Sequence, residues 1–154
     1  MSKVENLILK NLLLEEEYVR KTLPFIKSEY FSETLERNLF NVISKYFTAY
    51  NALPTKEALE IEVGQLGNIS DEQHRQTIQY IRDIDDEKSE YDWILDTTEK
   101  WCKERAIYLA LMESIKIAEG NDEKRATGAI PSILSDALAA VSYTHLTLPT
   151  KRIV

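Results

Sequence analysis

The sequence predicts an all-α protein, with a helical globular head followed by a helical hairpin. Only four glycines and four prolines occur among the 154 residues, and this scarcity favours long helices over a turn-rich β fold. Apolar residues recur at helical spacing along nearly the whole chain, and capping residues stand where that spacing breaks. We therefore predict one domain over residues 1–141, with the head at about 1–88 and the hairpin at about 90–141.

The head is predicted to hold five helices, over about 3–14, 15–22, 33–51, 56–66 and 71–87. Ser32 and Thr55 are placed to cap the third and fourth helices. Ser70 and Gln73 form a capping box that opens the fifth. The densest aromatic group is predicted to form the core of the head, with one or two members left at the surface to anchor a protein partner. This group comprises Phe25, Tyr30, Phe31, Phe40, Tyr46, Phe47 and Tyr50.

The long arm of the hairpin is predicted over about 90–119. Ile94, Trp101, Tyr108 and Ile115 recur every seven residues, which is the spacing of a coiled coil. The run from Ala106 to Met112 is apolar over two full turns, and a helix that is apolar all round is buried on more than one side. In a chain this small, we expect one side to pack on the domain and the other on another subunit.

The short arm is predicted to follow a reversal of the chain. Gly120-Asn121 is a typical helix C-cap, 122–128 forms a polar loop, and Pro131 suits the first turn of a last helix that ends near Val141. We predict that the two arms together supply an oligomer interface. Its residues are Trp101, Ala106, Ile107, Tyr108, Leu109, Leu111, Met112, Ile115, Ile133, Leu134 and Leu138.

Residues 142–154 break the helical pattern. They contain a proline and several β-branched residues without helical spacing, and the string resembles translated sequencing-adapter sequence. We interpret this tail as non-native. The alternative is a natural short strand or a disordered terminus.

The charge balance argues against a nucleic-acid-binding domain. The chain carries a net charge of -7, and because only Lys151 and Arg152 are charged after Val141, residues 1–141 carry about -9, two units lower. Neutralising phosphates requires clustered Lys and Arg, which are missing here. No signal peptide and no apolar run of membrane-spanning length are visible. The single cysteine excludes an internal disulfide and agrees with a reducing compartment.

Patterns that carry catalysis are also missing from the sequence. None of the four glycines opens a phosphate-binding loop, which would need Gly-x-x-x-x-Gly-Lys-Ser/Thr. We expect Cys102, inside the long arm, to be a buried structural thiol. His74 is the only histidine outside the tail, and its spacing from Asp71 makes a single acid–histidine pair, which we interpret as a capped helix start rather than a metal site. The sequence therefore predicts no catalytic, cofactor-binding or metal site.

Several local strings resemble the N-terminal domain of DnaB-type replicative DNA helicases, and most closely the replicative helicase of T-even bacteriophages. The resemblance covers residues 5–141, and its specificity lies in the order and spacing of the strings. They are Lys27-Ser28-Glu29-Tyr30-Phe31, Asn38, Phe40, Ile43, Tyr50, Pro54, Asp92-Trp93-Ile94-Leu95, Thr98-Glu99-Lys100, Glu104-Arg105-Ala106, Gly128-Ala129-Ile130-Pro131 and Ala137-Leu138.

The resemblance implies an assembly role in DNA replication. In such helicases this domain dimerises through its hairpins, builds a collar over a hexameric motor and offers a docking surface for primase. ATP and magnesium are then expected only in a motor domain missing from this fragment. The fragment itself would be no enzyme, although its parent would be an ATP-dependent DNA helicase. The expected partners are further copies of the chain, a hexamer in the parent, and primase. DNA would be contacted only through the missing motor, no membrane is involved, and the expected location is the cytoplasm of an infected bacterial host.

Two other readings stay open from the residues alone. A stand-alone helical adaptor or interaction protein would share the fold and the apolar hairpin without a motor. An enzyme with an active site inside the helical bundle is disfavoured, because the sequence lacks the patterns of catalytic, cofactor-binding and metal-binding residues.

Overall fold

The computed structural model describes residues 2–120 and 126–146, and these residues form seven α-helices and no strand. The predicted all-α fold class is confirmed. Short 3-10 turns cover Leu23–Phe25, Ser28–Tyr30 and Thr127–Ala129. The helices are α1 (Lys3–Leu14), α2 (Glu16–Thr22), α3 (Thr34–Tyr50), α4 (Lys56–Gly64), α5 (Asp71–Asp83), α6 (Tyr91–Ala118) and α7 (Ile130–Tyr143).

Two of the three predicted helix caps in the head are confirmed. The hydroxyl of Thr55 accepts a hydrogen bond from the backbone N–H of Ala58 at 3.1 Å. Ser70 and Gln73 form the full capping box, with reciprocal bonds of 3.0 and 3.1 Å. These bonds satisfy backbone donors that the first turns of α4 and α5 would otherwise leave unpaired.

The predicted cap at Ser32 is wrong. Glu33 is the N-cap residue of α3 and makes no side-chain cap bond. Both the backbone N–H and the hydroxyl of Ser32 instead donate to Oε1 of Glu5 in α1, at 2.8 and 2.9 Å. Glu5 is buried, and a buried carboxylate requires hydrogen-bond donors. Ser32 supplies these donors to Glu5 and therefore does not cap α3.

α5 is shorter than predicted, since it ends at Asp83 rather than near residue 87. The ammonium group of Lys56 donates to the backbone carbonyls of Arg82 and Ile84. It thereby satisfies acceptors that a helix end leaves unpaired. The chain then turns into an extended conformation at Ile84.

The core of the head centres on α3, which packs on α1, α4, α5 and the turn at Ser28–Tyr30. Much of the predicted aromatic core is confirmed. Phe31 and Phe40 are buried with ring centroids 5.4 Å apart, and Tyr30 and Phe47 are also buried. Phe25 and Tyr46 are half-buried and Tyr50 is exposed.

The chain divides into two compact units between Ile94 and Leu95. The division lies inside α6, a few residues beyond the boundary predicted near residue 89, because the first turn of α6 belongs to the N-terminal unit by its contacts. We keep the name head for the unit that ends at Ile94. The C-terminal unit holds the rest of α6 and all of α7.

In the C-terminal unit the chain reverses its direction between α6 and the end of α7. α6 stops near Gly120, whose φ of 79° is the left-handed conformation that favours glycine at a helix end. Of the loop predicted over 122–128, residues 122–125 lie outside the described residues, and Thr127 and Gly128 belong to a 3-10 turn. Beyond α7, the backbone N–H of Leu146 donates to Oε1 of Glu99 at 2.7 Å. The end of the short arm therefore lies beside the N-terminal half of the long arm, as in a hairpin.

α7 extends two residues past the predicted end at Val141. The hydroxyl of Thr144 donates to the carbonyl of Ala140 at 2.7 Å, and Leu146 is fully buried. The first residues of the tail are thus part of the folded C-terminal unit. Residues 147–154 lie outside the described residues, and the interpretation of the tail as non-native stays a prediction.

In the described part of the chain, no helix is both long enough and apolar enough to cross a membrane.

Candidate assembly surface

One face of the second half of α6 is buried. Ala110, Ser114 and Ile117 lie on it and are almost inaccessible to solvent. Their spacing of four and three residues places them on one side of the helix. This side anchors α6 within the protein.

Another side of α6 carries an apolar stripe that the described residues leave uncovered. Its five large side chains are each 40–49% exposed. They form two adjacent rows with a spacing of four residues and extend about 12 Å along the helix, at about 1.5 Å per residue. We call this surface the α6 stripe; it comprises Ile107, Tyr108, Leu111, Met112 and Ile115.

The seven-residue repeat of α6 changes from buried to exposed along the helix. Trp101 is only 7% exposed, whereas Tyr108 and Ile115 are each about half exposed. Residues seven apart lie on nearly the same face of a helix. The cover over this face therefore ends between Trp101 and Tyr108, and the stripe begins there.

The predicted interface residues differ in the surface they offer. Trp101 has little surface left for a partner, while six of the others are exposed and four are half-buried. No residue of α7 is buried. The exposed six are Ile107, Tyr108, Leu111, Met112, Ile115 and Leu138, and the half-buried four are Ala106, Leu109, Ile133 and Leu134.

Polar residues border the α6 stripe. The guanidinium carbon of Arg105 lies 4.8 Å from the centroid of the Tyr108 ring, within the range of a cation–π contact. Glu104 and Lys116 are exposed on neighbouring turns. An apolar centre with a polar border is the usual composition of a protein–protein interface.

The N-terminal half of α6 holds the single cysteine of the chain. Cys102 is buried and free, which confirms the predicted buried thiol. Burial, and then the nearby charge of Glu99, raise the pKa of the Cys102 thiol to about 12. Because the thiolate is the reactive form, this cysteine is a poor nucleophile.

The head has a cleft of about 540 Å³ between α3 and α5. Its lining includes Asn38, Gln73, Gln76 and Tyr80. Within residues 2–120 and 126–146, no three His, Cys, Asp or Glu side chains are grouped so that they could hold a metal ion. The α6 stripe is therefore the feature that we take as the candidate functional site.

Comparison with known proteins gives one informative match. No family model matches this chain. The chain is 28% identical to a "DnaB-like replicative helicase" of Enterobacteria phage T4 over 141 aligned residues, which cover 86% of this chain and 30% of that helicase. The resemblance drawn from the residues is thus confirmed, and it supports a role in DNA replication. The chain spans less than a third of the length of this curated relative.

Proposed function

We propose that this chain is the assembly domain of a phage-type replicative DNA helicase and that it forms homo-oligomers through the α6 stripe. The observation that carries the proposal is the group of five large apolar side chains left uncovered on one helix. Monomeric soluble proteins rarely expose large contiguous apolar patches, and such patches often mark interaction sites. The similarity to the phage T4 helicase gives this surface a role, since a helicase ring requires contacts between its subunits.

The α6 stripe alone is too small for a stable interface. A standard interface buries about 800 Å² per partner and uses roughly 20–30 residues on each side. Residues of α7 are available to complete it, since Ile133 and Leu134 are half-buried and Leu138 is exposed. A contact between two hairpins would bury both arms and would include ten of the eleven residues predicted from the sequence, all except the buried Trp101.

The substitutions Leu111→Glu and Met112→Glu, combined in one chain, test the oligomer. Both side chains are nearly half exposed, so a single chain tolerates the charges, whereas an apolar interface does not. In light scattering over a concentration series, we expect the unmodified chain to associate and the double variant to stay monomeric. Ile61→Glu, at an exposed apolar position in the head, is the matched control and should associate normally.

The oligomer proposal fails if the unmodified chain stays monomeric at high concentration. It also fails if the double variant associates as strongly as the unmodified chain. Circular dichroism of each variant verifies that the helices are retained, so that lost association is not mistaken for lost folding.

Recruitment of primase is the second part of the proposed function and rests on the resemblance alone. It is tested by measuring binding of the primase from the same genome to the chain and to the Leu111→Glu/Met112→Glu variant. Binding that requires the oligomer should be lost in the variant. Undetectable binding to the associated, unmodified chain would limit the function to assembly.

The motor is likewise proposed rather than observed. Sequencing the gene beyond Val141 from independent DNA should reveal a phosphate-binding loop downstream of the hairpin. A stop codon there would favour the stand-alone adaptor.

A further inference from the structure

Two carboxyl groups face each other in the interior of the head, between α1 and α3. Glu36 of α3 is fully buried and Glu5 of α1 is nearly so. The bonds from Ser32 place the carboxyl of Glu5 at the first turn of α3, which contains Glu36, and the charge of Glu5 acts on Glu36 there. Glu5 accepts both bonds from Ser32 through its Oε1 atom. Neither oxygen of Glu36 has a hydrogen-bond partner of good geometry among the described residues. The backbone N–H of Glu33 lowers the pKa of Glu36, but this is the smallest of the effects that act on it.

Among the residues that the structure describes, no positively charged side chain acts on Glu36. The titratable groups that act on it are Glu5 from α1 and Glu33 at the start of α3. The charge of Glu36 also acts on Tyr80 of α5. The phenol of Tyr80 donates a hydrogen bond to Oδ1 of Asn6 at 2.7 Å. The adjacent Arg37 directs its guanidinium to the backbone carbonyls of Phe31 and Ser32.

An ionised Glu36 would therefore be a buried charge without a counter-ion. Two ionised carboxylates have only acceptors to offer each other, but one proton between them makes a hydrogen bond. Burial first, and then the charge and the hydrogen bond of Glu5, raise the pKa of Glu36 from 4.5 to about 8. Burial and the charges of Glu36 and Glu33 also raise the pKa of Tyr80 above its usual value.

We propose that Glu5 and Glu36 share one proton and act as a proton-dependent latch that holds α1 against α3. While the proton is present, a carboxylic acid on Glu36 donates to the carboxylate of Glu5. When the proton leaves to solvent, two negative charges face each other in the core, and α1 separates from α3. The latch adds a mode of regulation to the head, and it does not depend on the proposed assembly function.

The direction of the pH effect follows from proton uptake. The folded head holds the proton more tightly than the unfolded chain does, so folding binds a proton between the ordinary and the raised pKa of Glu36. The free energy of unfolding of the head therefore falls as the pH rises from the ordinary to the raised pKa of Glu36. Above the raised pKa, this pair of carboxyl groups causes no further change.

The first test compares urea unfolding of the full chain with that of the Glu36→Gln variant between pH 5 and pH 9. A glutamine keeps a permanent donor facing Glu5 and cannot ionise. We expect the unfolding constant of the unmodified chain, relative to that of Glu36→Gln, to rise by up to about tenfold per pH unit and to level off near pH 8. Glu17→Gln, at an exposed position of α2, should keep the pH dependence of the unmodified chain. Parallel profiles for the unmodified chain and Glu36→Gln would overturn the proposal.

The second test needs no variant and decides the matter even if Glu36→Gln fails to fold. Carbon NMR of the side-chain carboxyls follows Glu5 and Glu36 directly in the unmodified chain. For a coupled pair that shares one proton, each signal moves in two steps, and we expect the upper step, in which the shared proton is lost, to lie well above the ordinary glutamate range. Two separate titrations near pH 4–5 would refute the shared proton.

The movement of α1 is tested by amide hydrogen exchange. After correction for intrinsic rates, the amides of Ile8 and Leu9 should lose protection above the titration, while those of Leu59 and Val63 in α4 keep it. In Glu36→Gln the protection of α1 should persist at high pH. Unchanged protection of α1 across the titration in the unmodified chain would rule out the latch.

Discussion

Arg20 binds the C-terminal end of α3 from outside that helix. Its guanidinium donates to the side-chain oxygen and the backbone carbonyl of Asn51, at 2.7 and 3.3 Å, and lies 5.1 Å from the centroid of the Phe47 ring. Asn51 adopts the left-handed conformation that ends α3, with φ of 53°. One side chain thus satisfies the last turn of α3 and covers part of its aromatic face.

We expect Arg20→Ala to lower the free energy of unfolding by about 1–2 kcal/mol, mainly through the lost bonds to Asn51. The exposed ion pair of Arg20 with Glu16 should contribute little. Urea denaturation measures the change. Arg20→Lys is the control; because a lysine cannot bind two oxygens as a planar fork, it should recover only part of the loss. An unchanged midpoint for Arg20→Ala would show that these bonds add nothing in solution.

The contacts and burial of individual side chains were the features of this structure that the sequence predicted least well. The buried thiol of Cys102 followed from its place in a long helix. Glu36 was not singled out, although a signal existed: it lies three residues before Leu39 and seven before Ile43, on the buried side of α3. The partner of Ser32 could not be foreseen, because Glu5 lies 27 residues away in sequence.

At the level of elements, the segment between α5 and α6 is held against α1. Asn11 is buried, and its amide exchanges two hydrogen bonds with Ser89, at 3.0 and 3.2 Å. Lys10 pairs with Asp85 and Lys88 pairs with Glu15, both at 3.2 Å. These bonds hold the segment that precedes α6 on the head.

We expect Asn11→Ala to destabilise the head by about 1–3 kcal/mol, because it leaves the backbone N–H of Ser89 without its partner. Amide exchange should become faster at Ser89. Asn41→Ala, at an exposed position of α3, is the matched control and should change the stability by no more than about 0.5 kcal/mol. Equal effects of the two substitutions would mean that Asn11 does not hold the segment.

Most helices were predicted because their signals are local. Apolar spacing and the caps at Thr55 and Ser70 lie within one or two turns of the feature that they define. The end of α5 was missed because the side chain that satisfies it, Lys56, comes from α4. The end of α7 was missed because the burial of Leu146 is a tertiary event without a local pattern.

At the scale of the whole molecule, the C-terminal unit depends on residues that follow the predicted domain. Leu146 is fully buried, and its backbone N–H meets the carboxylate of Glu99. We expect Leu146→Ala to destabilise the C-terminal unit by about 2–5 kcal/mol, as for other buried leucines. Amide exchange in α7 measures this loss. His145→Ala, at the exposed neighbouring position, should have little effect. If the two substitutions behave alike, the tail does not stabilise the hairpin.

The uncovered surface of the hairpin could be anticipated, whereas the point on α6 at which the cover ends could not. The all-round apolar run at Ala106 to Met112 predicted more apolar surface than one chain can hide. The run did not show that Trp101 is covered while Tyr108 is not, since both occupy the same position of the seven-residue repeat. Only the three-dimensional arrangement separates a core residue from a surface residue in such a repeat.

The protein also contains a natural probe for the opening of its C-terminal unit, since the rate at which Cys102 is chemically modified reports how often that unit opens. Cys102 is the only cysteine of the chain. Its thiol is buried, and its pKa is raised to about 12. A thiol reagent such as a disulfide dye can therefore modify it only in molecules that have opened. We expect modification to be slow in the native protein and fast in urea. Substitution of Leu146 by alanine should speed it, whereas the Asn11 variant, altered in the head, should not. Immediate labelling of the native protein would show that the thiol is accessible without opening.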